Sequence, residues 1–387
     1  MDWHYLDHAA GSPARPETVA AMLPLLTEGF GNPSGGHALA RQARVELDAA
    51  RAGLAAVVGC RPGEIVFTSG GTEADDLAVR GVHDLQGGEV LCTAVEHSAV
   101  QQPVARAGGR TVPVDARGVV DLHGLAAALH PGVSLVSVVL VGNEVGTIQP
   151  VDAIAAVVRD RAPGALLHTD ASQALSWLDL REHAAAADLV TLASHKCGGP
   201  KGVGALVVRD GVRVQAQLVG GGQERDRRSG TQHVAGAVGF AVAAERAASE
   251  REALWHRAAS WRARLVGAVL AGVEGAIDSA VPAGAGTDHL VPGIVHLCVP
   301  QVDSEALLFL LEHDHRVLAA AGSSCASGAQ DPSHVLAALG IDRATARGAI
   351  RLSLGWSTSD ADVAAATVGL PEAATRLRSH ARDGMPA

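Results

Sequence analysis

The chain has 387 residues, 48% of them hydrophobic, and a formal net charge of −10 at neutral pH. That length suits a large core and two structural domains better than one. The acidic balance excludes a basic face for nucleic acid, and no uninterrupted apolar segment is long enough to span a bilayer.

From Glu64 to Val208, short Val-rich runs alternate with Ala-rich helical stretches. The runs are EIVFT, EVLCTA, SLVSVVLV, ALLHTD, DLVTLA and GALVV. Strands buried on both faces have this appearance, so a mostly parallel sheet covered by helices is expected, an α/β fold. A long helix over about Gly236–Gly272 then leads to IVHLCV, VLAAAG and AIRLSLG as strands, with helices at DSEALLFLLE and PSHVLAALG. This second set predicts a smaller α+β domain.

In open α/β sheets ligands gather at the carboxyl ends of the strands, so the polar residues there are the candidates. After EIVFT, Gly70, Gly71 and Thr72 open a helix whose amides suit a phosphate, or form an ordinary N-cap. After EVLCTA come Glu96 and His97, and after SLVSVVLV come Asn143 and Glu144. Asp170 and Gln173 follow ALLHT, where a carboxylate either holds a pyridine nitrogen protonated or caps a helix. DLVTLA ends in SHKCGGPKG, placing Ser194 and His195 beside Lys196.

Of 31 basic residues only Lys196 and Lys201 are lysines. An amine can lose its proton and form an imine with an aldehyde, which a guanidinium cannot. Scarcity alone leaves an imine-forming lysine and a loop cation equally open. The ordered strand ends, with an anion site, a histidine, a carboxylate and an amine, favour the former.

The segments YLDHAAGSP, GNPSGGH, EIVFTSGGTEADDLAVRG, VEHSAV, GNEVGTIQP, HTDASQA, SHKCGGPKGVGAL, GGGQERDRRSGT, GSSCASG and IRLSLG cover nearly the whole chain. In them the sequence resembles a cysteine desulfurase of the class V aminotransferase group, in the branch with a longer Ser-rich cysteine loop. The resemblance implies fold-type I architecture with pyridoxal 5′-phosphate (PLP). It implies a large PLP-binding domain over 13–255, and a small domain from 1–12 and 256–387 that carries the cysteine loop.

The resemblance further implies that Lys196 forms the Schiff base, His97 stacks on the ring, Asp170 pairs with the ring nitrogen and Gln173 bonds the ring hydroxyl. Gly71, Thr72, Ser194 and His195 would hold the phosphate, joined by Thr231 from the second subunit of a homodimer. Asn143 would lie near the ring and the substrate carboxylate, and Arg351 would clamp that carboxylate, as its planar fork allows. L-Cysteine would be converted to L-alanine, leaving a persulfide on Cys325 for an acceptor protein. Cys197 adjoins Lys196 and is expected to point away from the cofactor. Asp76, Gln223 and Arg227 depart from the common pattern without removing a catalytic group.

A selenocysteine lyase, or another class V lyase or aminotransferase, is the alternative enzyme. A dehydrogenase is not expected without a strand–GxGxxG–helix unit, and a non-enzymatic sulfur-handling subunit would lack the PLP absorption band. The cysteines Cys60, Cys92, Cys197, Cys298 and Cys325 are odd in number and lack CxxC spacing, so a reducing, cytoplasmic compartment without a zinc site is expected. MDWHYLDHAAGSP has no signal-peptide pattern. Compared with scaffold-docking members the tail after Pro371 is short, which leaves the acceptor open among iron–sulfur assembly, tRNA thiolation, DNA phosphorothioation and cofactor synthesis.

Overall fold

Each Val-rich run of the sequence becomes a strand. In a computed structural model, which describes residues 3–322 and 333–383, the strands are β1 (His4–Tyr5), β2 (Ile65–Thr68), β3 (Glu89–Thr93), β4 (Arg110–Val112), β5 (Val133–Val139), β6 (Leu166–Asp170), β7 (Leu189–Ala193), β8 (Gly204–Val208), β9 (Ile277–Asp278), β10 (Ile294–Cys298), β11 (Val317–Leu318) and β12 (Ala349–Ser353). Seven form one sheet in the order β2-β8-β7-β6-β5-β3-β4. Within it only β8 runs against its neighbours, β2 and β7; the other pairings are parallel. This is the mostly parallel α/β sheet expected.

Side chains alternate between the sheet's two faces because the strand period is two. Ile65, Leu91, Val190 and Val207 enter one core with Leu54 and Phe240. Their chain neighbours Val66, Val90, Leu189 and Leu206 enter another, with Ala74, Leu77 and Val82 of the helix Gly71–Gln86. Both faces are therefore covered, which is why the strands read as continuous apolar runs.

The sheet's six parallel-running strands end on one edge. Gly71 follows β2, His97 follows β3, Asn143 follows β5 and Asp170 closes β6. The reversed strand β8 matters here, because the chain must turn back at the end of β7. That turn carries Lys196.

The long helix starts at Val234, slightly earlier than the sequence suggests, where His233 accepts the Gly236 amide as N-cap. Its 39 residues span about 58 Å. It leads to a three-stranded antiparallel sheet, β12-β10-β9, and to β11, which pairs with the N-terminal β1. The VLAAAG run is a strand only at Val317–Leu318, with Ala320 making an isolated bridge to Arg351. Arg351 on β12 lies across from His296 on β10. Among the described residues no helix is long and apolar enough to cross a membrane.

Candidate active site

After β7 the chain makes a single tight turn, Ser194–Lys196. The N-terminal segment straps this turn in place. Ser12 donates its amide to the His195 carbonyl at 2.8 Å, and Arg15 donates its amide to Gly198 at 2.8 Å. Two glycines are required. Gly198 has φ of +92°, and a Cβ on Gly199 would lie 2.0 Å from Ser194 Oγ. The half-buried Lys196 ammonium donates to the carbonyls of Ala9, at 2.5 Å, and Ala10, at 3.1 Å. Lys201, five residues on, is exposed.

A cavity of about 460 Å³ opens at this edge of the sheet. Gly71, Thr72, His97, Asn143, Asp170, Gln173, His195, Lys196 and Arg351 all line it. Nine candidates from separate parts of the sequence thus meet around one space, within the usual size range of a small-molecule pocket.

Each wall has a defined geometry. The helix Gly71–Gln86 begins at Gly70, which has no side chain to cap it, and Gly71 and Thr72 of its positive end line the cavity. His97 caps its own helix, Nδ1 accepting the Ala99 amide at 3.1 Å. Gln173 Nε2 donates to the Ala9 carbonyl at 2.8 Å, and Asp170 Oδ1 accepts the Ser172 amide at 2.9 Å. Burial pushes the His195 imidazole down to about 4, with the Lys196 and Lys201 charges adding to the effect. Burial also lowers His97, against the opposing pull of Asp170. Both rings are therefore neutral near pH 7.

Arg351 is 1% exposed. It donates from Nη2 to Asp7 Oδ1 at 2.8 Å and from Nη1 to the Asn143 carbonyl at 3.0 Å, while its buried Nε has no hydrogen-bond partner. A guanidinium with an unsatisfied N–H beside a cavity is a receptor for a carboxylate.

Three expected positions are not brought together here. Ser194 is fully buried and does not line the cavity; its Oγ lies toward Gly199 instead. Thr231 is exposed and away from the cavity of its own chain. Cys325 lies outside the described residues. The structure adds groups the sequence reading passed over or left without a role: Ser172, Asp75, Glu96, Glu144 and His334 also line the cavity. Cys197 is buried, its Sγ directed at the Ser194 carbonyl, and burial raises its thiol to about 12.

The model of the aminotransferase class-V family matches residues 4–365 of the chain. The chain belongs to that family. This class-V family protein is 40% identical to an "IscS-like cysteine desulfurase" of Mycobacterium tuberculosis over 97% of either chain. Among solved structures it resembles a "NIFS-like protein" with a TM-score of 0.88 and 30% identity, over 96% of this chain and 99% of that one. It also resembles "SspA in complex with cysteine", with a TM-score of 0.76 and 28% identity over 90% of this chain and 98% of that one.

The class-V family uses PLP, and the cavity fits that group. A phosphate matches the uncapped helix start at Gly71 and Thr72. An aldehyde matches the Lys196 amine, and a protonated pyridine nitrogen matches the buried Asp170.

Proposed function

We propose that this protein is a PLP-dependent cysteine desulfurase, taking sulfur from L-cysteine, releasing L-alanine and holding the sulfur as a persulfide on Cys325. One observation carries the reading: Lys196, Asp170, His97 and Arg351 converge on one cavity in a chain 40% identical to a named cysteine desulfurase.

In this reading Lys196 would hold the cofactor as an imine, with Asp170 for its ring nitrogen, His97 for its ring and Gln173 for its hydroxyl. Thr72, Gly71 and His195 receive the phosphate, and Thr231 reaches the site of a second copy of the chain. No phosphate role is assigned to Ser194, which is buried and does not line the cavity. When bound, PLP supplies an electron sink for the carbanion at the amino-acid α-carbon.

Arg351 and Asn143 orient the substrate carboxylate, and the Lys196 amine removes the α-proton. The Cys325 thiolate then attacks the substrate sulfur. An S–S bond forms, the substrate C–S bond breaks, and its electron pair stays with the three-carbon fragment, which leaves protonated as alanine. His97, lowered by burial and so neutral near pH 7, would move a proton at the sulfur step. Only a thiolate attacks efficiently, so the step requires Cys325 in its ionised form.

The large domain over 13–255 supplies the sheet edge, and the remainder supplies Arg351 and the cysteine segment. A homodimer suits the exposed apolar residues Val19, Leu23, Leu26 and Phe30, which a second copy would cover. Cys60, Cys92, Cys197 and Cys298 are all free, as a reducing cytoplasm would keep them. A further protein accepts the sulfur.

The test is turnover by the purified holoenzyme. L-Cysteine with a thiol reductant should yield alanine and sulfide in equal amounts. Absence of alanine, or alanine only from selenocysteine, would overturn the reading.

A further inference from the structure

The cavity floor holds three carboxyl groups in an ordered row. Asp170 closes β6, with Val139 of β5 and Thr191 of β7 as its register partners on either side. Glu96 is tied to the first of these: its Oε1 accepts the Val139 amide at 2.7 Å and the Thr93 hydroxyl at 2.6 Å. Asp75 lies beside the second, Thr191, whose hydroxyl acts on its carboxyl group. Asp170 is thus flanked by two other acids, Glu96 from the segment after β3 and Asp75 from the helix Gly71–Gln86, one beside each neighbouring strand.

Neither flanking acid has a charge to match it. Glu96 is completely buried, and its Oε2 has no partner although the residue lines the cavity. Asp75 is 1% exposed, and its Oδ1 is also without a hydrogen bond. The basic group nearest to Asp75, His168, stands 3.7 Å away and has both ring nitrogens engaged by Ser137 and Thr191. The other titratable groups facing Glu96 are Asp170, Cys92 on the preceding strand β3, and His334, whose Nε2 meets the Glu96 carbonyl at 3.0 Å. Asp76 adds a further negative charge near Asp75. Two buried, unpaired carboxylates beside a third would be very costly.

We infer that Glu96 and Asp75 are protonated positioning residues, that Glu96 directs its Oε2 hydrogen into the cavity beside Asp170, and that the single negative charge of the row stays on Asp170. Burial is also what raises the Glu96 carboxyl to about 8, and burial followed by the Asp170 charge is what raises Asp75. With Oε1 already accepting two donors, the proton belongs on Oε2. The cofactor ring then meets one charge, matched to one protonated nitrogen. This deepens the proposed function and rests on it.

The test compares the wild-type holoenzyme with Glu96→Gln. Gln keeps Oε1 as acceptor and puts an N–H where Oε2–H stood. The variant should retain the visible cofactor band within a few nanometres and bind PLP within about two-fold of wild type. Infrared difference spectra (variant minus wild type) should lose a neutral carboxylic-acid carbonyl band. Above about pH 8 the wild-type band should change, and the variant's should not. A large spectral shift at neutral pH, or loss of a carboxylate band instead, would overturn the inference. Glu96→Met, which cannot donate, should shift the band where Gln does not; equal behaviour of the two would also overturn it. If wild type itself showed no lysine-bound cofactor band, the proposed function would fail first, and visibly so.

Discussion

Arg351 Nη2 and Asp7 Oδ1 form an ion pair at 2.8 Å between residues 344 positions apart. It ties β12 to the N-terminal segment that also straps Lys196, through Ser12 and Arg15. Arg351 and Lys196, the substrate clamp and cofactor lysine of the proposed function, therefore share one support.

Arg351→Lys should separate binding from cofactor chemistry. Lysine offers a point charge without the planar fork, and at this depth it cannot reach Asp7, the Asn143 carbonyl and a ligand carboxylate together. A loss of about 10–100-fold in kcat/KM, mostly in KM, is expected. The cofactor band should be unchanged. Steady-state kinetics on cysteine checks the first expectation and absorbance the second.

Glu224 underlies a second expectation. Glu224, Arg225 and Asp226 have φ of 51°, 58° and 63°, a left-handed turn of non-glycine residues that costs energy to hold. Buried Arg51 holds it, donating to both Glu224 oxygens at 2.7 and 2.8 Å, while the Phe67 amide donates at 2.9 Å. Glu224→Ala strands a buried guanidinium and should destabilise the fold by about 3–5 kcal/mol, read by urea unfolding. Because this turn leads into the segment ending at Thr231, PLP affinity should also fall.

Glu96 makes stability depend on pH with a definite sign. A buried acid with a raised folded value loses nothing while both states are protonated. It destabilises progressively as the unfolded form ionises, from near its ordinary 4.5 until about 8. The unfolding temperature of cofactor-free Glu96→Gln should therefore rise relative to wild type between pH 5 and pH 8, a range set by those values. A difference that shrinks over that range would contradict the protonated assignment.

Cys325→Ser should keep the cofactor band and lose the protein-bound persulfide, measured by intact mass after incubation with cysteine. Alanine formation should fall by at least about 100-fold, since the hydroxyl is a far weaker nucleophile. Full cysteine-to-alanine turnover would remove Cys325 from the mechanism.

Much of this was legible in the sequence for a physical reason. Strands buried on both faces write themselves as apolar runs, and the residues just past them must lie on one edge. Lys196, Asp170, His97 and Thr72 were marked in that way, and all four line the cavity. The placement of Ser194 was not legible, because adjacency to Lys196 does not say which way a tight turn faces; the turn sends His195 and Lys196 to the cavity and Ser194 toward Gly199. Glu96 was marked at a strand end without a role and Asp75 was not marked, because the burial of either carboxyl depends on which strands become neighbours. Arg351 was marked by family resemblance, but its tie to Asp7 needed the fold.

The two lysines make the central claim directly measurable. Borohydride reduction of the holoenzyme, followed by peptide mapping, should place one pyridoxyl group per chain on Lys196 and none on Lys201. Label on Lys201, or on neither lysine, would contradict the account.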